Sequence, residues 1–214
     1  MSTLTGPHRA PRAGGKPTSL LVLLHGIGSD GNDLIGLADL LAPGLPGTAF
    51  HAPNAPHRFS EAAFGYQWYA RQPWESRGER VAAVAPVVNA YVDELAAGYG
   101  LGPERCALVG FSQGCIVSLH VAPRREAALA GVVGFSGAMT TGETLADEVR
   151  NQTPFLLVHG ERDQVLGCEE TTQAAARLTE VGVPVEAHLL PGLGHSINQE
   201  GLAMALAFLQ RVLP

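Results

Sequence analysis

No apolar run in this chain approaches the roughly 18 residues that a membrane span needs, because the early stretch 20–24 is broken at once by His25 and Gly26. Cysteine is scarce. The three residues at 106, 115 and 168 have neither the paired spacing of a zinc site nor the even count of a disulfide framework, so no metal is assigned. Cys106 and Cys115 read as small buried packing residues. Basic charge is also short, with 14 Lys and Arg against 20 Asp and Glu for a formal charge of -6. It is scattered rather than striped along one face, which excludes nucleic acid as the expected partner. The first 18 residues lack the apolar core of a secretory signal and carry Pro7, Pro11 and Pro17 with Gly6, Gly14 and Gly15. They read as a flexible leader, 1–18, ahead of one domain, 19–214, with a cytoplasmic location and no stable membrane insertion.

The chain's 214 residues suit a single core, since cores grow to roughly 250 residues before chains split. Short apolar runs at 20–24, 49–52, 107–109, 131–135, 155–159 and 185–190 alternate with helical patterns at 32–41, 79–99, 113–121, 169–181 and 197–212. That alternation predicts an α/β fold, a mostly parallel central sheet with helices on both faces. Ser196 and Gln199 have the spacing of a capping box ahead of the last helix, and Asp30 to Asp33 reads as a turn with a helix cap. No internal repeat is present. The stretch 53–78, rich in proline and aromatics and poor in period, is expected to be an ordered surface loop.

The sharpest motif is Gly110-Phe111-Ser112-Gln113-Gly114, directly after an apolar strand pattern and directly before a helical one. This is the setting of a nucleophile elbow and points to an α/β-hydrolase fold. Glycines two residues to either side leave room for a strained turn and for an approaching carbonyl. A serine hydroxyl needs a base, which in this fold comes last in chain order. Of eight histidines, His195 alone lies in the loop between the last strand and last helix. His25 and His159 end strands and read as packing or hydrogen-bonding residues. The acid must fall between serine and histidine, and Asp163, in the loop after the strand 155–159, is the best placed, with Glu161 its nearest rival. The amide of Gln113 and that of Ile27, between two glycines in the loop after the first strand, are the candidate oxyanion donors.

These residues resemble the phospholipase/carboxylesterase family of small α/β-hydrolases, which includes the acyl-protein thioesterases. The resemblance rests on Leu24-His25-Gly26-Ile27-Gly28 with Asp30-Gly31, Pro53-Asn54-Ala55-Pro56, Gly65-Tyr66-Gln67-Trp68-Tyr69, the elbow, His159-Gly160-Glu161-Arg162-Asp163, and Gly194-His195. It implies Ser112 as nucleophile, Asp163 and His195 as its partners, and the Ile27 and Gln113 amides as oxyanion hole. It further implies a small-molecule ester substrate with a short to medium acyl chain, no cofactor, and a homodimer. Cys115 and Leu166-Gly167 depart from the usual family residues beside the acyl site. The aromatics Phe64, Tyr66, Trp68, Tyr69 and Trp74 would overhang the serine as an apolar wall, with Trp68 foremost, so Trp68, Tyr66, Phe64 and Leu166 are the expected substrate contacts. Two other readings remain: the same machinery acting on a lysophospholipid or an acyl-protein thioester, and a non-catalytic domain that only binds a ligand.

Overall fold

A computed structural model describes residues 4–72 and 76–213. Seven strands form one sheet: β1 (His8–Arg9), β2 (Ser19–Leu24), β3 (Thr48–His51), β6 (Cys106–Phe111), β7 (Gly131–Phe135), β8 (Phe155–Gly160) and β9 (Val185–Leu190), in the order β1-β3-β2-β6-β7-β8-β9. All neighbours are parallel except β1, which runs antiparallel to β3. A two-stranded hairpin, β4 (His57–Arg58) and β5 (Tyr66–Gln67), stands apart.

Parallel strands need crossovers, and helices supply them on both faces. Successive side chains of a strand point to opposite faces, and β2 shows the result. Leu20, Val22 and Leu24 enter a core with α2 (Arg77–Tyr99), α3 (Gln113–Arg124) and α5 (Glu169–Glu180), whereas Leu21 and Leu23 enter a second core with α1 (Gly31–Leu41) and α6 (Gln199–Val212). A short helix, α4 (Leu145–Glu148), lies between β7 and β8. At 23 residues α2 is long and apolar enough to cross a bilayer, but its Val81, Val84, Val88 and Val92 are buried in the first core.

Three expectations change. Residues 4–18 are not a loose leader: Leu4 is buried, and the carbonyls of Thr5 and Pro7 accept from the N–H groups of Asn54 (2.8 Å) and Ala52 (3.0 Å). The edge of β3 needs partners, and this segment supplies them. The loop 53–78 contains the hairpin and sends Trp68 into the core with no exposed surface. The cap of α6 is Asn198, whose side-chain oxygen accepts from Gly201 N at 2.8 Å, in place of the Ser196 and Gln199 pair. Asn198 has the extended backbone that an N-cap requires. Asp30 caps α1 as expected, accepting from Asp33 N at 3.0 Å.

The strand order reverses at β2, which lies between β3 and β6 and creates the switch point where open sheets place their ligands. Leu24 is in register with Gly110, Phe111 with Phe135, and Phe135 with Val158. The loops after β2, β6 and β8 therefore emerge side by side. Removing residues 1–12 should lower unfolding stability by at least about 3 kcal/mol, from one buried leucine and two net hydrogen bonds, with the β1–β3 pairing lost in addition. Urea denaturation checks this, and a truly loose leader would leave the midpoint unchanged.

Candidate active site

Ser112 joins β6 to α3 in a single residue, with φ 53 and ψ -115. Such a backbone costs a non-glycine residue about 1–3 kcal/mol and persists only where its surroundings fix it. The Ser112 N–H donates to Phe135 O at 2.9 Å and its carbonyl accepts from Ile116 N at 3.1 Å. The flanking glycines are a steric demand. A Cβ on Gly114 would collide with the Leu24 carbonyl, and one on Gly110 would strike the backbone of Gly114 and Cys115.

The loop after β9 brings His195 onto this elbow. It packs against Gly160 at the end of β8, where a Cβ would meet the carbonyls of Leu193 and Gly194, and Arg162 N donates to Leu193 O at 2.8 Å. His195 Nε2 lies 3.0 Å from Ser112 Oγ, and His195 Nδ1 lies 2.6 Å from Asp163 Oδ2. Because a carboxylate only accepts, Nδ1 carries the proton and the Nε2 lone pair faces the serine hydroxyl. The Phe111 ring packs on the imidazole, centroids 5.0 Å apart.

The Asp163 side chain has no exposed surface, yet its oxygens meet four N–H groups. Oδ1 accepts from Val165 N (2.8 Å) and Leu166 N (2.9 Å), and Oδ2 from His195 Nδ1 and from His159 Nε2 at 3.0 Å. Burial works to raise its pKa, but the Leu166 amide, His195 and the Val165 amide together outweigh it and hold the carboxyl below its ordinary value. His159 Nε2 also lies 3.0 Å from Leu166 O, which cannot donate. The proton is therefore on Nε2, and Nδ1 accepts from the Thr171 hydroxyl at 2.7 Å. This brace of Asp163 goes beyond the packing or hydrogen-bonding role read for His159 from sequence. Glu161, the rival acid, is exposed.

Ile27 and Gln113 line the cleft with Ser112, and among the described residues neither backbone N–H has an intramolecular acceptor. The surrounding segments are fixed by His25, read from the sequence as a packing or hydrogen-bonding residue, and by the Gln113 side chain, which was not assigned a role there. His25 Nδ1 donates to Gly26 O (2.7 Å) and its Nε2 accepts from Ala55 N (3.0 Å); burial lowers its pKa, so it stays neutral. The Gln113 carboxamide accepts from Trp68 N (2.7 Å) and donates to Tyr69 O (2.8 Å), pinning the 66–69 segment to the elbow.

The cleft over Ser112 measures about 110 Å³. Ile27, Tyr69, Ile116, Val165 and Leu166 give it apolar walls, and Arg71 and Arg77 stand at its charged side. Of the expected contacts, Leu166 borders the cleft. Trp68 does not: its indole is buried and donates Nε1–H to His25 O at 2.8 Å, bracing the loop after β2. Tyr66 lies under the Arg58 guanidinium at 4.4 Å, and Phe64 is 75% exposed, neither lining the cleft. Trp74 lies outside the described residues. Larger hollows, about 520 Å³ beside Arg125 and about 490 Å³ between α1 and α6, hold no activated nucleophile; the Cys106 thiol in the first is pushed up to about 11 by burial. Among the described residues no cluster of three His, Cys, Asp or Glu is placed to hold a metal.

Sheet order and elbow together define an α/β-hydrolase. The pattern of the phospholipase/carboxylesterase family matches residues 10–213, and the chain belongs to that family. It is similar to the crystal structure of esterase PE8, with 38% identity and a TM-score of 0.93 over 98% of this chain and 99% of that one. Esterase YpfH of Escherichia coli is 27% identical over 91% of this chain and 83% of its own length. Acyl-protein thioesterase 1 of Gibberella zeae is 38% identical over 120 residues, 54% of this chain, and the match spans about half (51%) of the thioesterase. The protein is thus an enzyme of the esterase and thioesterase hydrolase class.

Because the folded pKa of Asp163 lies below the unfolded value near 3.9, the unfolded chain takes up the proton first. The stabilisation is complete above the unfolded value and is lost as pH falls through the folded one. Denaturation from about pH 6 down to about pH 3 should show a steeper loss for the wild type than for Asp163→Asn; parallel curves would refute the assignment.

Proposed function

We propose that the protein is a serine carboxylesterase that forms an acyl-enzyme on Ser112. The observation that carries this is the hydrogen-bond chain Ser112 Oγ to His195 Nε2 at 3.0 Å and His195 Nδ1 to Asp163 Oδ2 at 2.6 Å. His195 takes the hydroxyl proton as Oγ attacks the acyl carbonyl. The Ile27 and Gln113 amides bind the oxyanion, and the imidazolium returns the proton to the leaving alkoxide. Water then repeats the sequence to release the acid. Asp163 keeps the imidazole in the tautomer this requires and stabilises its charged form.

The small, mostly apolar cleft favours short acyl groups. Lysophospholipid or acyl-protein thioester substrates use the same groups and form the second reading, which the thioesterase relatives favour. A homodimer belongs to the proposal through the resemblance alone.

Hydrolysis of p-nitrophenyl esters from acetate to laurate tests this. Activity should peak at short chains, and Ser112→Ala should lower kcat by at least about 10³-fold. A peak at long chains would favour the second reading, and turnover insensitive to Ser112→Ala would overturn both. Asp163→Asn should cost about 10³–10⁴-fold in kcat, far more than Glu161→Gln; the reverse ranking would reassign the acid.

A further inference from the structure

The chain is acidic overall, with a formal charge of -6, yet two arginines stand at the cleft over Ser112. Among the described residues Arg71 and Arg77 are the charged side chains that line it, and no carboxylate lines it with them. Asp163, which reaches Ser112 through His195, has no exposed side-chain surface and turns its oxygens to four N–H donors and away from the cleft's solvent. From this we infer that the site selects esters bearing a second, anionic oxygen group, a carboxylate or phosphate a few bonds from the scissile carbonyl, with Arg71 and Arg77 as the recognition pair. The inference rests on the esterase reading of Ser112 and adds a substrate class to it.

The two cations are held differently. Arg77 is part-buried, and its Nε–H donates to the Tyr69 hydroxyl at 3.4 Å. The Tyr69 carbonyl in turn accepts from the Gln113 side chain at 2.8 Å. The Arg77 guanidinium is thus tethered through two hydrogen bonds to the residue that follows the nucleophile. Arg71 is exposed, but its backbone is fixed: Arg80 donates to the carbonyls of Ala70 (2.8 Å) and Arg71 (3.3 Å). Arg80 is spent on this brace, and the Arg71 side chain remains at the cleft. Glu143 and Glu170 line the next groove, which Arg77 also borders, so part of the Arg77 charge is compensated and Arg71 carries the larger share.

Apolar walls alone would accept any short acyl group. A planar fork of donors beside them gives an oxyanion a charge-assisted contact that a neutral ester of equal length cannot make. That contact discriminates between esters without touching the reacting atoms.

The test compares matched pairs in a pH-stat: monomethyl adipate against methyl hexanoate for an anion on the acyl side, and 2-butyryloxyethyl phosphate against butyl butyrate for one on the alcohol side. One charged member should exceed its neutral partner about tenfold in kcat/KM, and the advantage should shrink as salt rises to about 0.5 M. The side that shows it locates the anion. The double variant Arg71→Gln/Arg77→Gln should bring the charged-to-neutral ratio to about one, whereas Arg71→Lys/Arg77→Lys, which keeps charge but not the fork, should retain part of it. Charged esters cleaved no faster than neutral ones, or a preference that survives the glutamine variant, would overturn the inference. Failure of the esterase reading looks different: neither member of a pair is turned over, or Ser112→Ala changes nothing.

Discussion

The site depends on a one-residue turn. Between β6, which lies in the middle of the sheet, and α3, which must pack back over it, Ser112 is the whole connection. A turn that short forces a left-handed backbone at φ 53 and brings the start of α3 against the end of β2. There is no space there for a side chain at 114. The strain is held by the N–H bond to Phe135 and by burial of nearly all of α3. Relaxing it would turn the hydroxyl away from His195 and displace the Gln113 amide together, because both groups belong to the same turn. The proposed nucleophile and the proposed oxyanion donor are thus coupled mechanically.

The second constraint is a buried carboxylate. An isolated ionised Asp163 would be expensive where it stands, and the four N–H donors are what make it tenable. Two come from its own loop and fix its orientation; one is His195; the fourth is His159, whose tautomer is set by the Leu166 carbonyl and the Thr171 hydroxyl. The polar network therefore runs from Thr171 at the start of α5 through His159 and Asp163 to His195 and Ser112. It crosses three separate chain segments. Such a network restricts motion only when every member is satisfied, and in this one each of the donors described has an acceptor.

The parts legible in the sequence were those fixed by local rules. Gly110, Ser112 and Gly114 announce the elbow because the clash that excludes other residues lies within a few positions of the turn. The strand cores were legible because a parallel sheet buried on both faces leaves continuous apolar runs, as in β2. Trp68 was misread because its direction is decided by partners 43 and 45 residues away, the His25 carbonyl and the Gln113 carboxamide. Composition says only that such a ring will be well buried, not which side of a loop it takes. The segment before β2 was misread for a related reason. Proline and glycine describe its intrinsic freedom, but the unpaired edge of β3 supplies partners that composition does not contain. Asn198 displaced the expected capping pair by two positions, the usual scale of uncertainty for a helix start.

The proposed chemistry and the proposed selectivity fall to different parts of the chain. The groups proposed for bond making and breaking sit on turns at the ends of β6, β8 and β9, fixed to the rigid sheet, and all of them were named by motif. The cleft walls come largely from the two connections between those turns and the rest of the fold. Tyr69 and Arg71 lie in the segment before α2, and Val165 and Leu166 lie in the loop after β8. The Val165 and Leu166 amides hold Asp163, and both residues line the cleft. In that loop, side-chain replacement can reshape the cleft without disturbing the carboxylate, because the contacts to Asp163 are made by backbone. The same division applies at Tyr69, which is pinned by its carbonyl and presents its ring to the cleft. Where backbone atoms make the contacts, as at Val165 and Leu166, side chains are free to vary without disturbing Asp163, and the two arginines proposed for recognition stand among the residues that line the same cleft.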